Sequence, residues 1–381
     1  MLNLDFTEEQ DMLRDMVRGL CTQYAGDDNV RKLEDDPKGF SQEMWDQLSE
    51  LGMLGLMLPA EYGGSDSSMI EGVVLYEEFG RSLAATPHLE SCVMSAGALL
   101  SAGSDAQKAE FLGRIATGEA ILVPAWLEPN NSFGPKGVQM RAEASGGGFT
   151  LNGTKESVRF GSSAERLVAL ARTGDGDTDV DLFLVDPSAE GVSLDQRMSI
   201  SSDTRYNVTF SNVTVAESDR IGAAGSGWSS WSAVMNQAMV LAAAFANGGN
   251  EYALDITVQY SKDREQFDKP LGAFQALAHD MSNAKTAVDG SKLLNYEAAW
   301  ALSKQAEGDD QQPVTKFSAM SKMFACDSYR DTTAMAQQIF GGVGFTLEYE
   351  IQLFFRRAKA LQGSYNDTRR CEDLIAAAVL D

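Results

Sequence analysis

The sequence predicts an α+β fold in three domains, ordered helical, β, helical, and three observations carry that reading. A proline-free run from Met239 to Lys269, rich in Ala and Gly, reads as one long helix. Near Ile121 the apolar pattern changes from helical spacing to short alternating runs separated by Gly, Ser and Thr. Near Trp228 it changes back. The implied boundaries are 1–120 for an N-terminal helical domain, 121–222 for a middle, barrel-like β domain and 223–381 for a C-terminal four-helix bundle.

In the first domain, Thr7-Glu8-Glu9-Gln10 has the form of a capping box, with Thr7 as N-cap and Gln10 at the third helical position. Leu13, Met16, Val17 and Leu20 follow at helical spacing. Ser41 is placed to cap a second helix carrying Met44, Leu48, Leu51 and Leu54. That helix runs into GMLGLMLPAEYGGS, where Pro59 and Gly63-Gly64 stop regular structure. Val73 to Leu83 reads as a further helix.

In the middle domain, FTLNGTKESV carries Asn152-Gly153 between β-prone segments, which predicts a two-residue hairpin there. RLVALART, VDLFLVD and TRYNVTFSNVTV read as further strands. In the last domain the Met239 run predicts a helix of about twenty-five residues, on the order of 37 Å at 1.5 Å per residue. Small side chains on such a helix let neighbours approach closely, which suits a bundle centre. GDDQQPV at 308–314 and the glycines at 341–344 interrupt the helices that follow.

Composition narrows the function. The net charge of -24 is opposite to the basic footprint that phosphate backbones require, which argues against a nucleic-acid partner and against an anionic membrane surface. Cys21, Cys92, Cys326 and Cys371 show no CxxC spacing and read as free thiols. His88 and His279 are too few and too far apart for metal or triad chemistry; His279 reads as a packed or capping side chain. No run of about eighteen apolar residues is present, and the start MLNLDFTEEQ lacks a signal-peptide pattern. The expectation is a soluble, cytoplasmic protein.

Several phrases, in order along nearly the whole chain, carry a resemblance. GMLGLMLPAEYGGS, EEFGRSLAATP, the long helix ending in Arg264, Gln266, Phe267 and Phe274-Gln275, the run QQIFGGVGFTLE from Gln337, and LFFRRAKAL are together similar to the acyl-CoA dehydrogenase family. The wording most resembles the small-subunit branch associated with pimeloyl-CoA and related acyl-CoA dehydrogenases. The resemblance implies a role in lipid metabolism by β-oxidation. A carboxylate would take the proton α to an acyl-CoA thioester while the β hydride passes to FAD at a subunit interface, with electron-transfer flavoprotein as acceptor.

The resemblance also implies site residues, and they divide into two sets. Arg264, Phe267, Gln275, Gln338, Gly341 and Gly342 match positions that one subunit lends to its neighbour's FAD. A guanidinium suits a phosphate, and glycine lets backbone come close. On the side that would hold the reacting ring, Leu127 stands where the family has Thr, Ser157 where it has an aromatic, and Arg159 where it has a hydroxyl near the flavin. The family's base positions hold Ala238, Phe245 and Asn366, none of which accepts a proton at useful strength. Asp367, one residue beyond Asn366, is the remaining carboxylate and also reads as a plain loop residue. The expectation is one subunit of a heterotetramer that completes the FAD site of a second, acyl-CoA dehydrogenase-like chain. A homomeric flavoenzyme using a displaced base such as Asp367, and a non-enzymatic scaffold, are the alternatives.

Overall fold

The computed structural model describes residues 5–130, 132–201 and 203–380. The first domain contains α1 (Glu8–Tyr24), α2 (Asp27–Leu33), α3 (Gln42–Glu50), α4 (Met69–Arg81), α5 (Ala96–Ala102) and α6 (Asp105–Ala116), with a π-helical segment at Leu89–Ser95 leading into α5. Both expected caps are formed. Thr7 Oγ1 accepts from the Gln10 N–H at 3.3 Å while Gln10 Oε1 accepts from the Thr7 N–H at 3.0 Å. Ser41 Oγ accepts from the Met44 N–H at 3.3 Å, satisfying a donor that the first helical turn cannot pair internally.

The β domain comprises β1 (Leu122–Ala125), β2 (Arg141–Ser145), β3 (Gly148–Arg159), β4 (Arg166–Arg172), β5 (Val180–Val185), β6 (Val192–Arg197), β7 (Arg205–Ala216) and β8 (Arg220–Ile221). They form one sheet ordered β6-β7-β3-β2-β4-β5-β8, with β1 paired in parallel to β4. Among the described residues the end strands β6 and β8 of this sheet do not pair with each other. The expected hairpin at Asn152-Gly153 is corrected. The turn lies one step earlier, at Gly146 (φ 60°) and Gly147 (φ 88°), where Ser145 pairs with Gly148. Asn152-Gly153 lies inside β3 at a bulge against β7, with Gly153 at φ 154° and Asn152 Oδ1 accepting from the Asn212 N–H at 2.8 Å. Both signals ask for glycine's conformational freedom; the bulge uses it without reversing the chain.

The C-terminal domain is built on α7 (Gly227–Asp263), a helix of 37 residues and so longer than expected at its N-terminal end. A two-residue hairpin of β9 (Glu265–Gln266) and β10 (Lys269–Pro270) joins it to α8 (Gln275–Ala306), followed by α9 (Val314–Phe340), α10 (Ile351–Gln362) and α11 (Thr368–Leu380). The small residues of α7 do what their size allows. A Cβ on Gly80 of α4 would lie 1.9 Å from the carbonyl oxygen of Phe245, and one on Gly248 of α7 would lie 1.8 Å from that of Glu77. The two helices therefore cross backbone against backbone. Buried amides tie α7 to α8 and α9: Asn295 Nδ2 donates to the Val240 carbonyl at 2.9 Å and to Ser321 Oγ at 3.0 Å, and Asn250 Nδ2 donates to Ser328 Oγ at 2.9 Å.

Among the described residues no helix is long and apolar enough to cross a membrane, and no group of His, Cys, Asp and Glu could hold a metal ion. All four cysteines are buried and unpaired. His88 is a satisfied core side chain, its Nδ1 2.8 Å from Tyr76 Oη and its Nε2 3.1 Å from the Met53 carbonyl. His279 is exposed on α8 rather than packed.

Candidate active site and cofactor half-site

The two sets of residues singled out in the sequence occupy different environments. Of the ring-side set, Arg159 turns into the interior, where the ends of β3 and α10, the π-helical segment and the middle of α7 meet. Arg159, the last residue of β3, points inward and is held from three sides. Its Nε donates to Asp203 Oδ2 at 2.9 Å, its Nη1 donates to Tyr365 Oη at 2.6 Å, and the same nitrogen lies 3.4 Å from Glu90 Oε1. Tyr365 in turn donates to Glu90 Oε1 at 2.6 Å. Arg205 Nε reaches Asp203 Oδ1 at 3.0 Å, and Arg357 donates to the Ser201 carbonyl at 3.1 Å while lying over the Phe245 ring.

This is a charge cluster in which the carboxylates of Asp203 and Glu90 are almost wholly buried while Arg159 and Arg205 keep a small exposed part. Burial alone would raise the Asp203 carboxyl, but the guanidinium groups of Arg205, Arg159 and Arg357 outweigh it and hold the group well below the usual carboxylate range. Arg159, Glu90, Tyr365, Phe245 and Arg357 line a cavity of about 40 Å³. At roughly 10–15 Å³ of such space per water, this admits a few waters. It does not admit an acyl thioester.

The other altered ring-side positions add to the closure. Leu127 contributes only its carbonyl, accepting from the Glu156 N–H at 2.9 Å. Ser157 sits in a bulge of β3 with a left-handed φ of 55°. Beside it Lys155 is fully buried against Glu128, Nζ to Oε1 2.6 Å, and Glu128 also accepts from the N–H groups of Gln139 and Met140 at 2.9 Å each. Burial pulls Lys155 down to about 8 despite its partner.

The base positions are brought near one another without a carboxylate. Ala238 is fully buried within α7, and Phe245 lines the small cavity beside Arg159. Asn366, at a left-handed φ of 70°, directs its amide nitrogen to within 3.4 Å of Met239 Sδ. Asp367 is occupied elsewhere. Its Oδ1 accepts from the Arg370 N–H at 2.8 Å, the arrangement of a helix N-cap at the start of α11. Sequence reasoning noticed Arg159 but missed its partners Glu90, Asp203 and Arg357. An arginine in place of a hydroxyl was the available signal, since a buried guanidinium needs carboxylates.

The second set lies at one end of the C-terminal domain. Arg264 ends α7 and is exposed, its carbonyl accepting from the Leu271 N–H at 2.8 Å. Phe267 and Asp268 form the hairpin turn, both at positive φ, and Phe267 is 86% exposed. Gln275 opens α8; Gln338, Gly341 and Gly342 close α9, and all four are exposed. Tyr260 of α7 stacks on Phe340 of α9, ring centroids 4.2 Å apart, and this joins the two helix ends. A small cluster of Leu254, Met281, Val288 and Ile339, with Leu271 and Leu277 packed on it, fastens the start of α8 to the same place. No atom lies within 4 Å of a Cβ built on Gly341 or Gly342, so the surface over them is open.

Comparison with known proteins agrees with this division of the chain. The N-terminal, middle and C-terminal domain signatures of acyl-CoA dehydrogenase match residues 7–119, 125–213 and 225–363. The chain is 30% identical to cyclohex-1-ene-1-carbonyl-CoA dehydrogenase of Geobacter metallireducens, over 98% of both chains. It is 27% identical to CarC, a subunit of the caffeyl-CoA reductase–Etf complex of Acetobacterium woodii, over 98% of this chain and 99% of that one. The structure of butyryl-CoA dehydrogenase from Megasphaera elsdenii superposes with a TM-score of 0.90 at 25% identity, over the whole of both chains. The chain belongs to the acyl-CoA dehydrogenase family, whose members are FAD-dependent oxidoreductases acting on CH–CH bonds.

Proposed function

We propose that this chain is the non-catalytic subunit of a heteromeric acyl-CoA dehydrogenase and completes the FAD site of a partner that carries the catalytic carboxylate. The observation that carries this reading is the fate of Arg159, which fills the chain's own ring side with ion pairs while the opposite half-site stays open.

The residues fit FAD on one half only. The exposed guanidinium of Arg264 suits a phosphate, the open backbone of Gly341 and Gly342 suits close approach, and Phe267, Gln275 and Gln338 flank them. On the other half no hydroxyl is offered at Leu127, and Arg159 is already committed to Glu90, Asp203 and Tyr365. FAD, when bound, supplies the acceptor for the hydride leaving the acyl chain. This chain's contribution is to hold the diphosphate and adenosine end of the cofactor.

Further parts of the reading concern the complex. The substrate is an acyl-CoA bound by the partner, the oxidation belongs to acyl-chain breakdown by β-oxidation, and the complex is a cytoplasmic heterotetramer. Electron-transfer flavoprotein is the acceptor, a reading supported by the naming of CarC as a subunit of a reductase–Etf complex. Loss confined to one half-site also favours service to a partner, because neutral drift would damage both halves.

Flavin content tests the proposal. The chain purified alone and incubated with FAD is expected to retain no flavin, and co-purification with the product of the adjacent gene is expected to give about one flavin per two chains. Stoichiometric flavin and dehydrogenase activity in the chain alone would overturn it.

A further inference from the structure

The outer face of the C-terminal domain carries a groove that the fold itself does not fill. α8 and α9 lie side by side and antiparallel, and the groove between them measures about 500 Å³. Leu277, Ala284, Ala287, Phe324, Met335 and Ile339 give it an apolar floor. Phe324 keeps 39% of its surface exposed there. Small residues on α8 face this large ring on α9, and a Cβ added at Gly290 would stand 3.9 Å from the ring. Two neighbouring helices stepped in this way leave the shape into which a third helix lays its ridge of side chains. An apolar floor with a polar rim marks an interaction site.

The rim is charged, and with one sign only. Asp280, Asp327 and Asp331 line the groove, and no Lys, Arg or His does. Arg330, beside the rim, is held by Asp331 at 2.7 Å and by Asp327 at 3.2 Å, and so offsets one of the three charges. Asp280 pairs with no cation among the described residues. At one end the groove reaches Gln338, a residue of the open half-site. A subunit that brings a flavin to that half-site has the groove beside it.

We infer that the groove seats a helix of the partner subunit, one with an apolar face flanked by Lys or Arg, and that the acidic rim selects that subunit over a second copy of this chain. The inference rests on the heteromer reading and adds what decides the pairing. A second copy would bring its own three carboxylates on the same face, and a net charge of -24, to the encounter. Like charges without counter-charge oppose docking, whereas a basic flank on the partner turns the same rim into an attraction.

Sedimentation velocity tests this, on the chain alone and mixed with the product of the adjacent gene, at about 0.1 M and about 1 M NaCl. The mixture is expected to pair at the lower salt and to weaken about ten-fold at the higher, while the chain alone stays unpaired at the lower. Asp280→Lys combined with Asp331→Lys should weaken the pair about ten-fold, and Ala287→Trp, which fills the floor, about a hundred-fold, both with circular dichroism unchanged. The charge reversal lies on the surface and reads the rim independently of the floor. Flavin per pair is measured in the same samples. A pair that forms through the groove and holds no flavin would overturn the cofactor reading and leave the groove assigned. A flavin-holding pair indifferent to these substitutions would overturn this inference alone. So would a homodimer at low salt that Ala287→Trp breaks, since the occupant would then be a second copy. No association at either salt would overturn both.

Discussion

The ring-side interior and the nucleotide-side surface started from the same family pattern and have opposite physical characters. Inside, Arg159, Asp203, Glu90 and Tyr365 satisfy one another and leave a few waters' worth of space. Outside, Arg264 and the glycines of α9 project into open space with nothing over them. A closed, self-satisfied cluster has no free donors for a ligand. An open cation and bare backbone have little internal purpose, and the difference separates residues that hold this chain together from residues that serve another molecule.

The largest expected effect lies in the interior. Asp203→Asn leaves the guanidinium groups of Arg159 and Arg205 without their shared carboxylate, and breaking a buried pair in this way costs about 3–5 kcal/mol. Urea denaturation reads it, and a loss below about 1 kcal/mol would mean that the cluster is solvated rather than sealed.

Next is pH. Burial lowers His88 to about 4, whereas the unfolded chain titrates near 6.5. The folded protein thus binds fewer protons in that window. Its His88 contribution is complete above about 6.5 and falls away as pH drops towards 4, by about 3 kcal/mol in all. Stability curves for wild type and His88→Gln should converge on acidification. Parallel curves would show that water reaches the ring, and so the wall of the small cavity that Tyr76 shares with it.

The smallest expected effect on folding is at the surface. Arg264→Gln should change stability by less than about 0.5 kcal/mol, since exposed sites away from special features seldom matter more. In the complex it should weaken flavin retention about ten- to a hundred-fold. A variant that unfolds the chain but spares flavin would invert the comparison.

Much of this was legible in the sequence because it depends on neighbours in the chain. The Thr7–Gln10 box and the Ser41 cap form within three residues of their partners, and the change of period at the β domain reflects side-chain alternation over a few positions. The glycines of α9 and Arg264 could be placed because each ends a helix. The destination of Arg159 could not be read, since Glu90 and Tyr365 are 69 and 206 residues away and meet it only after three elements pack. The Asn152-Gly153 signal misled for a related reason. Its local conformation was right, but whether a positive φ reverses the chain or bulges a strand is decided by β7 across the sheet.

The crossing of α4 and α7 bears on how the closed chamber could be reopened. Gly80 and Gly248 bring the helices together main chain to main chain at Phe245, so the Cα of that residue has no room to retreat towards α4 and no side chain there to repack. Volume removed at position 245 would stay where it was made. The chamber is thus a casting with a rigid mould behind it, whose shape can be redrawn one side chain at a time while the frame holds still.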